Sequence, residues 1–230
     1  MTLSTKYVAG HDISGRVPGG VVNARKCIGF CPQVDPLLDL MSGRETLSFF
    51  GRLRGIPDQK LNDYVSTLID ALTLSPHADK PAGTYSGGNK RKLSLGIALI
   101  GNPQVLFIDE ASSGMDPLAR RKMWDLISNV SKNRSVVLTT HSMEEAEALC
   151  SRLTIMVAGQ MKCIGSVQHL KSTYLNGYTV DLQCSMGASK LDVNNVKKQK
   201  HVLETALPFA TLAEQHNRLL RFFTPSMSSN

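Results

Sequence analysis

The run Val105-Leu106-Phe107-Ile108-Asp109-Glu110 ends four consecutive apolar residues in two adjacent carboxylates. Bounded upstream by Gly101-Asn102-Pro103, the apolar residues predict a short strand buried on both faces, as in a parallel sheet under helices. The acids then sit at its C-terminal tip, the edge where ligands of open α/β sheets gather. One carboxylate can hold a magnesium ion there while its neighbour polarises a water, which is the division of labour in phosphoryl transfer. Alone the pattern is weak, because two solvated acids opening a loop explain it as well.

Other segments point to the same edge. Ser86-Gly87-Gly88-Asn89, within Tyr85 to Ser94, opens a helix whose apolar Leu93, Ile97 and Ile100 recur at helical spacing. Such a start offers bare backbone amides and the positive end of a dipole, both suited to phosphate. A second apolar strand, Val136 to Thr139, runs into Thr140-His141-Ser142, so the His141 imidazole can reach the acid pair and contact a terminal phosphate. Ser112-Ser113-Gly114-Met115-Asp116-Pro117 links the two strands. Upstream, Ile28-Gly29-Phe30-Cys31-Pro32-Gln33 places a glutamine where a loop leaves another apolar segment.

In this order the motifs resemble the nucleotide-binding domain of ATP-binding cassette (ABC) transporters, and within them the A subfamily of lipid transporters. Gln33 matches the family's Q-loop glutamine, Ser86-Gly87-Gly88-Asn89 its signature motif, Asp109 the Walker B aspartate and Glu110 the catalytic glutamate. Asp116 falls on the D-loop and His141 on the switch histidine. The resemblance implies a P-loop NTPase-like α/β fold, with a parallel sheet core and a helical subdomain at about 39–100. It implies ATP and Mg2+ as ligands, with Glu110 and His141 catalytic and Asp109 and Gln33 near the metal. Gln33, Ser86, Gly87, Gly88, Asn89 and Asp116 would bind nucleotide. Its partners would be a second nucleotide-binding domain, the transmembrane domains of a transporter and, through those, a lipid substrate. The cassette would lie on the cytosolic face of a membrane.

One element of the pattern is absent from the 230 residues. A P-loop needs G-x-x-x-x-G-K-[ST], whose amides and lysine cradle the phosphates, and no Gly-Lys pair occurs. In the family that loop precedes a segment like Tyr7 to Ile13, so the sequence reads either as a piece of a longer transporter or as a degenerate domain. The first reading gives an ATP-hydrolysing motor. The second gives a non-catalytic module that pairs with and regulates an intact cassette. A further departure is Ala111, where proline normally follows the catalytic glutamate; its freer φ would loosen the loop.

The expected organisation is a cassette over 1–175 and a partial C-terminal regulatory piece over 176–230 of α+β character. Residues 1 to 38 read as strand-rich. From Ser42 to Leu74 the pattern is helical, opened by the capping box Ser42 to Glu45 and divided by Gly55 and Pro57. From Val105 strands alternate with helices. Trp124, with Ile127 at helical spacing, reads as core packing. Tyr178 to Leu182 alternates like a half-buried strand and is followed by Lys197, Lys198 and Lys200.

Composition narrows the class without deciding it. The net charge is +7, yet Lys90-Arg91-Lys92 and Arg120-Arg121-Lys122 are scattered and lack interleaved aromatics, so they read as a solvated face and nucleic acid is excluded as a partner. Five cysteines, with Cys27 and Cys31 as the only close pair, match neither a disulfide framework nor zinc spacing and read as reduced thiols. His11, His77, His169, His201 and His216 carry no motif. No uninterrupted run of 18 apolar residues exists.

Overall fold

The chain turns first in a hairpin, β1 (Tyr7–Val8) against β2 (His11–Asp12), through Ala9 and Gly10, whose φ values of 49° and 78° fit a type I′ turn. This computed structural model describes residues 6–174, 177–183, 211–216 and 219–225. A helix, α1 (Gly20–Lys26), then interrupts the region that reads as strand-rich. Gly19, Gly20 and the β-branched Val21 and Val22 disfavour a helix by propensity. Packing overrides them: Ala24 is buried, and Gly20 lies so close to the Asp12 carbonyl that a Cβ would strike it.

Strands β3 (Ile28–Cys31), β4 (Val105–Asp109) and β5 (Ser135–Thr139) form a parallel sheet in the order β3-β4-β5. In register, Phe30 lies beside Phe107 and Phe107 beside Val137. The expectation that β4 is buried on both faces is corrected here. Leu106 and Ile108 are fully buried, whereas Phe107 is half-buried and its neighbours Phe30 and Val137 are exposed. The sheet therefore has one packed face and one open apolar face among the described residues. Alternation along β4 follows from the two-residue period of a strand.

Three helices stack behind the packed face, and the last of them lies against the sheet. In α2 (Gly43–Leu53) the capping box forms as the sequence predicts: Glu45 N–H donates to Ser42 Oγ at 3.2 Å, and Ser42 N–H to Glu45 Oε2 at 2.8 Å. Such a cap stabilises a helix by about 1 kcal/mol. Gly55, at φ 80°, and Pro57 end α2 and start α3 (Asp58–Ala71), which buries Leu61, Val65 and Ile69. Two short 3-10 turns, Ser75–His77 and Ala82–Thr84, lead to α4 (Gly87–Leu99). Leu93, Leu95, Ile97 and Leu99 are all buried, so α4 is apolar nearly all round. It is wedged between helices and sheet: Gly96 sits against Leu72 and Leu47, and Gly29 of β3 against the Ala98 carbonyl.

The alternation expected beyond Val105 holds through α5 (Pro117–Ser131), β5 and α6 (Met143–Leu149). These elements complete a compact unit, Met1–Ser151. A second unit, Arg152–Asn230, departs from the pattern. Its strands β6 (Leu153–Val157) and β7 (Gln160–Gly165) pair antiparallel, because Ala158 and Gly159 both take positive φ, 50° and 74°, and fold the chain straight back. After α7 (Val167–Tyr174) come β8 (Gly177–Gln183), β9 (Thr211–His216) and β10 (Leu219–Pro225), an antiparallel sheet ordered β8-β10-β9. The strand expected at Tyr178 to Leu182 lies within β8. Lys197, Lys198, Lys200 and His201 lie outside the described residues. No helix among the described residues is long and apolar enough to cross a membrane.

Candidate functional site

Asp109 is the last residue of β4, and Glu110 follows it with φ 49°. A left-handed backbone costs a residue with a Cβ about 1–2 kcal/mol. Glu110 is held there from both sides: its N–H donates to the Thr139 carbonyl of β5 at 3.0 Å, and its own carbonyl accepts from Arg91 Nη2 at 3.2 Å. Strain of this kind, held by its surroundings, collects at functional sites.

Next to it, His141 Nδ1 stands 3.0 Å from Glu110 Oε1. An ionised carboxylate only accepts, so Nδ1 carries the proton and Nε2 remains free on a largely exposed ring. The Thr139 hydroxyl donates to Asp109 Oδ1, leaving Oδ2 available. The tips of two adjacent parallel strands thus bring together Asp109, Glu110 and His141.

The remaining sequence-predicted residues stand in other places. Ser86 caps α4, its Oγ accepting from the Asn89 N–H at 3.3 Å. Gly87 has nothing within 4 Å of the position a Cβ would take, so its backbone faces open space. No hydrogen bond among the described residues joins Ser86, Gly87, Gly88 or Asn89 to Asp109, Glu110 or His141. Asp116 caps α5, with Oδ2 accepting from the Ala119 N–H at 3.0 Å. Gln33 is exposed, and its carbonyl accepts from Arg91 Nη1 at 3.2 Å.

A cavity of about 410 Å³ opens beside the acid pair, lined by Glu110, Ser113, Gly114, Arg120, Thr140 and His141. Behind it Glu145 is buried, its Oε1 accepting from Ser112 Oγ at 2.7 Å and Trp124 Nε1 at 3.0 Å. Trp124 is therefore more than apolar packing, since its N–H ties α5 to α6. Sequence reasoning missed Glu145, which looks like one of several surface acids on a short helix.

It also misread Arg91. The residue belongs to a basic triplet that reads as solvated, yet it is 5% exposed. Its Nε donates to the Ala111 carbonyl at 3.0 Å and Nη2 to the Asp109 carbonyl at 2.6 Å, while Nη1 reaches the Pro32 carbonyl and, at 3.1 Å, Asp35 Oδ1. The only sequence signal was its place at helical spacing from the buried Ser94 and Leu95. The freedom expected of Ala111 is accordingly restricted, because its carbonyl is tied down. Nearby, burial pushes the Cys31 thiol up, keeping it a neutral packing group 3.8 Å from Ser94 Oγ.

The described residues contain no group of three or more His, Cys, Asp or Glu able to hold a metal. Asp109 Oδ2 and the Gln33 amide oxygen are hard donors that suit Mg2+ only together with phosphate oxygens and water, the usual company of that ion. The donor set fits magnesium as part of a nucleotide complex.

The parallel sheet edge bearing an acid pair and a histidine, and the Ser-Gly-Gly helix start in the same unit, belong to an α/β domain. The chain matches the ABC transporter family over residues 5–113. It belongs to that family and to its A subfamily. It is 46% identical to the phospholipid-transporting ATPase ABCA3 of Homo sapiens over 98% of its own length and 13% of that protein. It is 46% identical to ATP-binding cassette sub-family A member 7 of Rattus norvegicus over 95% of the chain and 10% of that protein. The chain thus spans a small part of these relatives. A solved ATP binding subunit of an ABC transporter shares the fold at TM-score 0.61 and 20% identity, covering 84% of this chain and 75% of the other.

Proposed function

We propose that this chain forms part of an ATP-hydrolysing cassette that drives phospholipid transport from the cytosolic face of a membrane. The observation that carries the reading is the Glu110–His141 pair at 3.0 Å, set on two adjacent strand tips with Glu110 in a held, left-handed conformation. Glu110 takes the role of the group that orients and polarises the attacking water. His141 fixes that carboxylate through Nδ1 and presents Nε2 to the terminal phosphate. Asp109 offers Oδ2, and Gln33 its amide oxygen, to the magnesium that accompanies ATP. The bound MgATP supplies the phosphoryl group and the charge that the metal offsets.

The same proposal assigns Ser86, Gly87, Gly88 and Asn89 to a different nucleotide, one held by a second nucleotide-binding domain, with Asp116 at the junction. Two observations support this: the signature residues make no hydrogen bond to the acid pair, and Gly87 faces open space. These 230 residues include no Gly-Lys pair, so no P-loop lysine is assigned among them. We divide the chain at 175/176 between the cassette and a regulatory piece. Transmembrane domains and, through them, a lipid complete the partners.

The test is phosphate release from MgATP by the whole protein carrying this chain, purified and reconstituted in vesicles. Added phospholipid should raise the rate about two-fold, a change of about 0.4 kcal/mol in the barrier. Hydrolysis indifferent to lipid would remove the lipid assignment, and no hydrolysis would remove the ATPase assignment.

A further inference from the structure

The Arg91 guanidinium joins two loops that the chemistry needs in register. It projects from α4, five residues beyond Ser86, and its side chain is 6% exposed. On one side it donates to the Pro32 and Gln33 carbonyls and to Asp35 Oδ1; on the other, to the carbonyls of Asp109, Glu110 and Ala111. These six acceptors share the five N–H donors of the planar fork, Nη1 serving three of them, and Asp35 is its one carboxylate partner among the described residues. A buried cation is tolerated only when paired and fully hydrogen-bonded. The arrangement meets both conditions.

We propose that Arg91 is a positioning residue for hydrolysis: it holds the Glu110 backbone in its left-handed turn and fixes the Gln33 loop against it. The inference rests on the cassette reading for its catalytic consequence, but its geometry stands independently. The strained Glu110 backbone is held by three hydrogen bonds, to the Thr139 carbonyl and from the Ser113 N–H and Arg91, and Arg91 supplies the one that comes from a side chain. Because the same side chain grips the Gln33 loop and belongs to the helix begun by Ser86, a shift of α4 moves both loops together. Lysine cannot replace it. An ammonium donates from a single point, whereas the six acceptors lie on two separate loops and require a fork.

The test is residue-resolved hydrogen exchange of the 230-residue chain. With Arg91→Lys, the amides of Glu110, bonded to the Thr139 carbonyl, and Ser113, bonded to the Glu110 carbonyl, should exchange about 10-fold faster. The amides of Leu72 and Leu74, bonded within the α3 end, should keep their rates. Equal acceleration at all four amides, or none at Glu110 and Ser113, would overturn the proposal. If Arg91→Lys does not fold, Asp35→Asn decides the matter, because it removes the carboxylate that holds the guanidinium in place and so loosens its grip on both loops. It should accelerate Glu110 and Ser113 by about 3-fold, again sparing Leu72 and Leu74.

In the whole protein, Arg91→Lys should lower kcat about 10-fold with KM for MgATP little changed, and should have almost no effect once Glu110 is replaced by Gln. Additive losses in the double variant would overturn the positioning role. Absence of hydrolysis in the unsubstituted protein would instead refute the cassette reading, and the exchange rates would still decide the place of Arg91.

Discussion

Replacing Glu110 by Gln should slow MgATP hydrolysis by about 10²–10³-fold in the whole protein, with nucleotide affinity almost unchanged. The amide is nearly the size of the carboxylate, so the backbone bonds to Thr139 and Arg91 persist and the cavity beside His141 keeps its volume. What disappears is the negative oxygen that polarises water. His141 then faces a group that can also donate, and its preference for the Nδ1 proton weakens. Stopped hydrolysis with intact binding should let ATP-bound, closed cassette pairs accumulate. Single-turnover rates and equilibrium nucleotide binding, measured side by side, check this. Turnover at the unsubstituted rate would show that Glu110 is not the catalytic carboxylate.

Ser86→Arg should abolish any support this chain gives to hydrolysis in a partner cassette, returning the partner to its own basal rate. Ser86 caps α4 through its small hydroxyl, and the neighbouring Gly87 leaves open space before the helix start. An arginine there brings a long side chain into the room a phosphate would need and removes the cap. Loss of the cap alone costs about 1 kcal/mol and leaves the fold intact, since α4 is anchored by buried Leu93, Leu95 and Ile100. The steric block acts on closure of the pair, not on folding. Partner ATPase rate against added chain distinguishes the two forms, and equal stimulation by both would rule out the role in trans.

What the sequence made legible were features written in local chemistry. Ser42 and Glu45 cap α2 and Ser86 opens α4, because each device depends on residues three apart. The acid pair at the end of β4 and the histidine beyond β5 were readable for the same reason: strand, tip and loop follow directly along the chain. Long-range packing was hidden. Helix α1 forms against its own propensities because Gly20 must approach β2. Arg91 and Glu145 look like surface charges in one dimension, and only the fold shows that their partners lie 56 and 33 residues away. Phe107 was expected under helices on both faces of its strand, a general habit of parallel sheets, but it shares an open face with the exposed Phe30 and Val137.

The central claim is that these residues supply half of a composite nucleotide site, with the signature residues serving a nucleotide held elsewhere. The measurement closest to it is association of the 230-residue chain with an intact A-subfamily cassette whose own catalytic carboxylate has been neutralised, followed by sedimentation with and without MgATP. Pairing should appear with MgATP, be absent without nucleotide and be lost with Ser86→Arg. Pairing of equal strength without nucleotide, or none in its presence, would contradict the claim.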